Sequence, residues 1–166
     1  NILTELVDPL MHMLRNAVDH GIEFPEQRTV LGKPAEGRIE LTFMREGNQV
    51  VVRCRDDGAG LDLVSIRRTA EQRGLVTPEQ TLSDDELSRL ILAPGFSTKV
   101  ESTQVSGRGI GMDVVHSSVL QLKGGLSLDA ISGQGLKIEI RLPATLISTY
   151  ALLVRAQQHL FAISNY

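Results

Sequence analysis

A segment near the start of the chain carries four polar side chains that could do chemistry. His12 and Asn16 are four residues apart, and Asp19 and His20 follow about one turn later. A helix would therefore place them beside one another. A neutral amide oxygen, such as that of Asn16, can coordinate Mg²⁺ without cancelling the charge that nearby phosphates need to meet. The group alone is equally compatible with a solvated helix face that balances an apolar one.

A carboxylate and two glycines follow a predicted strand in the next segment, where residues 56–60 read Asp-Asp-Gly-Ala-Gly. Gly58 and Gly60 would let the backbone approach a flat ligand closely. Asp56, at the strand end, could accept a hydrogen bond from an exocyclic amine such as that of adenine. The alternative is a tight turn capped by aspartate, because Asp-Gly turns are common.

A third segment is rich in glycine and comes directly before a predicted helix. Gly107, Gly109 and Gly111 would present backbone amides to an anion at the helix N-terminus, and Lys99 and Arg108 add positive charge. No strand directly precedes these glycines, so they are not a Rossmann fingerprint, and no Gly-Lys-Ser/Thr follows them, so they are not a Walker loop. A flexible connector would not explain three glycines against a helix start.

The elements that would position these groups alternate between helices and strands. Apolar spacing predicts helices over residues 2–20, 63–73, 84–92 and 112–122. Period-two alternation predicts strands over residues 38–45, 49–55, 126–130, 136–142, 151–155 and 159–163. Residues 22–37 and 93–111 are predicted to be loops. The order indicates an α+β fold, a two-layer α/β sandwich with a mixed, mostly antiparallel sheet and helices on one face.

Local signals refine three of these elements. Pro9 is expected to bend the first helix or to mark its true start, with Asp8 as N-cap. Ser83 and Glu86 have the spacing of a capping box. Ile39, Leu41 and Phe43 alternate along one predicted strand and are expected to share an apolar face.

Composition excludes several classes of protein. The net charge of −3 over 166 residues argues against a domain held on nucleic acid by a strong positive field. Cys54 is the one cysteine, so no internal disulfide can form, and a reducing, cytoplasmic setting is expected. No run approaches eighteen consecutive apolar residues. The chain begins at Asn1 without an initiating Met, and we expect it to be part of a longer protein.

Taken together, the motifs resemble the ATP-binding Bergerat (GHKL) fold shared by gyrase, MutL and histidine kinases. Asn16 falls in its N box, and residues 56–60, 107–111 and 133–135 fall in its glycine boxes. Longer stretches resemble CheA-type histidine kinases of chemotaxis and pilus motility, namely residues 14–23, 93–99, 105–115 and 141–143. The resemblance implies a histidine kinase ATP-binding catalytic domain over residues 1–146. It implies the start of a truncated CheW-like regulatory domain over residues 147–166.

The resemblance also implies ATP and Mg²⁺ as cofactors, with Asn16 as the metal ligand and Asp56 as the acceptor for the adenine amine. It implies that Ser97, Lys99 and residues 107–111 close over the triphosphate as a lid. The nucleotide-binding residues that it implies are Arg15, Asn16, Asp19, His20, Asp56, Gly58, Gly60, Ser97, Thr98, Lys99, Ser106, Gly107, Arg108, Gly109, Ile110, Gly111 and Met112.

His12 is the predicted catalytic residue. ATPase members of the superfamily carry a glutamate at this place to activate water. A histidine acceptor is already a nucleophile, so a kinase needs positioning and charge neutralisation more than a strong base. The resemblance therefore implies transfer of the γ-phosphoryl group of ATP to a histidine of a separate phosphotransfer domain. The alternative is a GHKL ATPase that uses nucleotide-driven closure and dimerisation.

The partners implied are a histidine phosphotransfer domain of the same or a partner chain, a downstream response regulator, and a CheW-like coupling protein with chemoreceptors. The full-length protein is expected to be a homodimer and this fragment a monomer. Two departures from the family pattern stand out. Leu136 follows Gly135 where a threonine is usual, and the helix over residues 63–73 offers three arginines and no lysine to the phosphates.

Overall fold

A computed structural model describes residues 2–96, 111–144, 151–156 and 159–164. The helices are α1 (Ile2–Asn16), α2 (Pro25–Val30), α3 (Leu63–Gln72), α4 (Asp84–Arg89) and α5 (Met112–Gln121), with a π-helical turn at Ala17–Gly21 and a 3₁₀ turn at Leu90–Leu92. The strands are β1 (Ile39–Glu46), β2 (Gln49–Asp56), β3 (Gly125–Ile131), β4 (Gly135–Pro143), β5 (Ala151–Ala156) and β6 (His159–Ser164).

The first four strands form one sheet in the order β1-β2-β4-β3, and every neighbouring pair is antiparallel. Gly47, with a positive φ of 58°, lies in the short turn that joins β1 to β2. The strands β5 and β6 pair with each other in a separate two-stranded sheet. These pairings confirm the predicted fold class and the predicted strand positions to within one or two residues.

The two faces of the four-stranded sheet differ in chemistry, and this difference fixes the register. Toward the helices, β2 and β4 contribute buried aliphatic side chains that pack with α1, α3 and α5; they include Val52, Ile138, Ile140 and Leu142. On the opposite face, Arg53 pairs with Glu139 at 2.6 Å. A one-residue slip would exchange these two sets. Asp56, at the end of β2, alternates in phase with Val52, so its side chain lies on the same face as the helical layer.

The first helix differs from its prediction. It runs from Ile2 through Pro9, so Asp8 is not its N-cap and Pro9 does not mark its start. A proline inside a helix removes one hydrogen bond and costs about 3 kcal/mol. The burial of Leu6 and Met13, which are 3% and 1% exposed on either side of Pro9, offsets that cost.

Two further local predictions concern the capping box of α4 and the apolar face of β1. The capping box is present, since the Ser83 N–H donates to Glu86 Oε2 at 2.8 Å and the Glu86 N–H donates to Ser83 Oγ at 3.3 Å. Phe43 lies opposite the buried Val52 and therefore shares the predicted apolar face with Ile39 and Leu41, although it is 55% exposed because β1 is an edge strand. Within the described residues, no helix is both long and apolar enough to span a bilayer.

Candidate functional site

The end of α1 widens into a π-helical turn at the motif that contains Asn16. The Ile22 N–H donates to the Ala17 carbonyl at 2.8 Å, which is five residues back. Single π turns are rare and occur frequently at functional sites. Asp19 and His20 lie on this wider turn and are exposed. They therefore do not continue the His12 and Asn16 face with the α-helical spacing that the sequence predicted.

Asn16 joins α1 to the start of α5. Its Nδ2 donates to Met112 Sδ at 3.5 Å, which brings together two predicted site residues that are 96 positions apart. No described residue donates to Asn16 Oδ1, so the amide oxygen is the atom left for a ligand. His12 is half-buried one turn earlier, and Arg15 is exposed on the same helix.

Asp56 is the last residue of β2 and is only 4% exposed. Its Oδ1 accepts the Gly58 N–H at 2.9 Å and the Leu136 N–H at 3.3 Å. No described residue donates to Oδ2, so one oxygen of a buried carboxylate is left as an acceptor. Leu136 acts through its backbone amide, so the unusual side chain at this position does not remove the contact.

Burial raises the pKa of the Asp56 carboxyl, and the nearby charges of Asp57 and Glu23 raise it further, against the two amide hydrogen bonds that lower it. The ionised form of Asp56 is therefore costlier in the folded chain than in the unfolded chain. That cost is full above the raised pKa, decreases as the pH falls through it, and disappears only below the pKa of the unfolded chain, where both states are protonated.

Three sequence segments meet around this carboxylate with almost no space between their backbones. A Cβ on Gly58 would lie 1.9 Å from the Gly21 carbonyl oxygen, and a Cβ on Gly135 would lie 2.0 Å from the Asp56 carbonyl oxygen. The Ala59 N–H donates to the Gly21 carbonyl at 2.8 Å. The N-box motif and two of the predicted glycine boxes are thus parts of one structural unit. Only glycine permits this approach.

Gly95 is the second-last described residue before the glycine-rich segment, and it is held from two sides. Its N–H donates to Asp113 Oδ2 at 3.0 Å, and its carbonyl accepts a hydrogen bond from Arg73 Nη1. The Arg73 guanidinium also lies 5.6 Å from the ring centroid of Phe96, a cation–π contact. Asp113 Oδ1 is buried without a partner among the described residues.

The arginines of α3 and its C-terminus were possible phosphate contacts. Arg67 bonds Glu71 at 2.9 Å and the carbonyls of Pro78 and Gln80, and Arg73 bonds Gly95. Two of these three arginines are therefore engaged with the protein itself.

The predicted site residues divide into two sets. The structure brings together the segments that hold Asn16, Gly21, Asp56, Gly58, Gly60, Gly135 and Met112, with Gly111 as the N-cap of α5. The other predicted lid residues lie outside the described part of the chain; they are Ser97, Thr98, Lys99, Ser106, Gly107, Arg108, Gly109 and Ile110.

Sequence reasoning missed four residues behind the carboxylate, namely Glu23, Arg28, Lys33 and Asp57. Three of them lie in a segment predicted to be a loop, where the structure forms α2. Arg28 is fully buried. Nothing in their spacing marks them, because Arg28 and Lys33 bond Asp57 and Gly58, which lie 24 to 29 positions away.

A family model described as "Histidine kinase-, DNA gyrase B-, and HSP90-like ATPase" matches residues 5–146. The chain belongs to this family. Membership of this ATPase family implies ATP binding, in agreement with the buried carboxylate and the close-packed glycines described above.

Curated relatives extend the likeness. The chain is 47% identical over 157 residues to "Chemotaxis protein CheA" of Halobacterium salinarum, which covers 93% of this chain and 24% of the relative. It is 42% identical over 164 residues to "Chemotaxis protein CheA" of Bacillus subtilis, which covers 98% of this chain and 24% of the relative. The predicted resemblance to CheA proteins is thus confirmed. The chain spans about a quarter of the length of these relatives.

A solved structure is also similar to this ATPase-family chain. It is the histidine kinase domain of the blue-light activated histidine kinase from Erythrobacter litoralis EL346. The TM-score is 0.48 at 18% identity, and the match covers 85% of this chain and 44% of that chain.

Proposed function

We propose that this domain binds Mg²⁺-ATP and donates the γ-phosphoryl group to a histidine of a phosphotransfer domain in a chemosensory pathway of chemotaxis or type IV pilus motility. The observation that carries the proposal is the close approach of the Asn16 segment, through Gly21, to Asp56 and the tight glycine turn. A histidine also stands at the twelfth position, where ATPases place glutamate. The CheA names of the relatives support the pathway.

The adenine amine is assigned to Asp56. Its Oδ2 is an acceptor without a described donor, and its Oδ1 is held by two amides. An ionised carboxylate only accepts hydrogen bonds. Adenine carries an amine at position 6 of the purine ring, whereas guanine carries a carbonyl oxygen there, which the carboxylate would repel. The site therefore favours ATP over GTP.

The Mg²⁺ ion is assigned to Asn16. Magnesium keeps several waters and is commonly held by one or two protein oxygens together with substrate phosphates. A single neutral amide oxygen fits that pattern, and Asn16 Oδ1 has no donor among the described residues. When bound, the metal supplies positive charge to the phosphates.

His12→Ala is expected to lower the rate of phosphoryl transfer by about 100-fold, because a positioned group that handles a proton or orients the acceptor contributes that much. ATP affinity should change by less than about threefold, since base recognition lies at Asp56. Nucleotide titration and single-turnover transfer measure the two effects. His116→Ala is the control, because it removes another half-buried histidine that lies outside the assigned site and contacts the Leu92 carbonyl at 3.1 Å. A normal transfer rate in His12→Ala would remove His12 from the reaction.

Asn16→Asp is expected to lower the use of Mg²⁺-ATP by about 10-fold or more, a loss typical of a perturbed metal site. The substitution adds a negative charge beside the phosphates and removes the donor to Met112 Sδ. Activity as a function of Mg²⁺ concentration measures it. Asn48→Asp, in the exposed turn between β1 and β2, adds the same charge elsewhere. Equal activity of the two variants would contradict the metal assignment.

The partners and setting follow from the proposed reaction. They are a phosphotransfer domain of the same or a partner chain, a downstream response regulator, and a CheW-like coupling protein with chemoreceptors. We place the protein itself in the cytoplasm, as part of a homodimeric full-length kinase. The pairing of β5 with β6 in their own sheet supports a boundary near residue 146, with the start of a regulatory domain over residues 147–166.

Labelled ATP tests the kinase proposal against the ATPase alternative. The chain is incubated with γ-labelled ATP and Mg²⁺, with and without a separately purified CheA phosphotransfer domain. The proposal predicts acid-labile, base-stable label on a histidine of that domain. Release of free phosphate alone, at the same rate with and without acceptor, would favour an ATPase.

A further inference from the structure

Four charged side chains form a cluster behind the glycine turn that follows Asp56. This charge clamp consists of Glu23, Arg28, Lys33 and Asp57. Arg28 Nη1 lies 3.0 Å from Glu23 Oε2, and Arg28 Nη2 lies 2.9 Å from Asp57 Oδ2. Lys33 Nζ lies 2.6 Å from Glu23 Oε1. The Arg28 side chain is 0% exposed and that of Lys33 is 18% exposed.

The clamp also donates hydrogen bonds to the backbone of the turn that follows Asp56. Lys33 Nζ donates to the carbonyls of Asp57 and Gly58, at 3.0 and 2.8 Å. Arg28 Nη1 donates to the same Asp57 carbonyl at 3.2 Å. Two cations therefore hold one carbonyl oxygen, and a third contact anchors the next.

The gripped carbonyl belongs to the peptide unit whose other end holds the base-reading carboxylate. The Asp57 C=O and the Gly58 N–H share one planar peptide group and point in opposite directions. Arg28 and Lys33 donate hydrogen bonds to the Asp57 oxygen at one end of this peptide group. At the other end, the Gly58 N–H donates to Asp56 Oδ1 at 2.9 Å. Holding the peptide plane through the Asp57 carbonyl therefore also fixes the direction of the Gly58 N–H, which orients Asp56.

The charge balance of the clamp indicates that it orients the turn after Asp56 and adds little to the free energy of unfolding. Its two cations and two carboxylates cancel. Burial opposes ionisation of Glu23 and Asp57, yet the pKa of each carboxyl is held below its ordinary value. For Glu23 the opposing contacts come mainly from Lys33, and for Asp57 from the Arg38 N–H and Arg28. Buried ion pairs are often no more stabilising than apolar residues of similar size. What the clamp adds is a fixed direction for the turn.

We infer that the charge clamp is a positioning device for adenine selectivity: through the Asp57–Gly58 peptide it holds Asp56 so that Oδ2 faces the base amine. The inference rests on the proposed assignment of Asp56 to that amine. Lys33 is a positioning residue in this scheme and does not contact the nucleotide. Loosening the clamp frees Asp56 to rotate, so the loss falls on ligands that carry the amine.

The test compares the binding of ATP with that of purine riboside triphosphate, which lacks the amine, by calorimetric titration of this chain. Wild type is expected to prefer ATP by about 30-fold, the value of one hydrogen bond to a charged group. Lys33→Met is expected to reduce the preference to below about fivefold, and Lys33→Arg to restore most of it, because a guanidinium still donates to carbonyls. Lys123→Met, which removes an exposed lysine after α5, should keep the full preference.

The outcomes separate the inference from the proposal beneath it. A wild type without preference for ATP would overturn the assignment of Asp56, and the inference with it. In the second outcome, wild type prefers ATP, and Lys33→Met weakens the binding of both ligands by the same factor. That result would leave Asp56 in place and overturn the inference. Thermal unfolding of each variant shows that the titrated protein is folded.

Discussion

Asp56→Asn is expected to weaken ATP binding by about 100-fold, close to 3 kcal/mol, because it replaces a charged acceptor with an amide. The Asn oxygen can keep the two amide hydrogen bonds that Asp56 Oδ1 accepts from Gly58 and Leu136. Its NH₂ group then faces the adenine amine, so two donors oppose each other. Calorimetric titration with ATP measures the loss.

The same substitution is expected to leave the free energy of unfolding unchanged or to raise it. Burial raises the pKa of the Asp56 carboxyl, so the folded chain disfavours the charged carboxylate relative to the unfolded chain. Asparagine removes that charge. Asp129→Asn is the matched control, since Asp129 is exposed and pairs with Lys137 on the sheet surface. An Asp56→Asn variant with ATP affinity within threefold of wild type would show that the base lies elsewhere.

Gly58→Ala is expected to abolish measurable ATP binding and to lower the free energy of unfolding by about 1–3 kcal/mol, the usual cost of overpacking. The new Cβ would lie 1.9 Å from the backbone oxygen of Gly21, and a backbone atom cannot rotate away. The turn must then move, and with it the amide that holds Asp56. Nucleotide titration and denaturant unfolding measure the two effects.

Gly125→Ala is the matched control for that variant. No atom lies within 4 Å of a Cβ built on Gly125, and its φ is not positive. It should bind ATP as wild type does. Wild-type affinity in Gly58→Ala would contradict the close approach of the N-box segment to the glycine turn.

Much of the fold is predictable from the sequence because its signals are local. Period-two alternation in β2 and β4 gives buried aliphatic residues on the helical side, and the capping box at Ser83 fixes the start of α4. Asp56 is recognisable because it ends a strand and precedes two glycines. Asn16 is recognisable because it lies one helical turn from His12.

The remainder depends on long-range contacts that no local pattern records. The helix α2 is short, and its buried Arg28 bonds the carbonyl and the carboxylate of Asp57, which is 29 positions away. The π turn after Asn16 lets Gly21 approach Gly58, a pairing visible only once both segments are placed. Pro9 is tolerated because tertiary burial on both sides outweighs a local penalty.

A crystal structure of the chain with Mg²⁺ and a non-hydrolysable ATP analogue is the most direct test of the site. We expect the adenine amine within hydrogen-bond distance of Asp56 Oδ2, and the metal bound by Asn16 Oδ1 and phosphate oxygens. A base bound away from Asp56, or a metal held without Asn16, would contradict it.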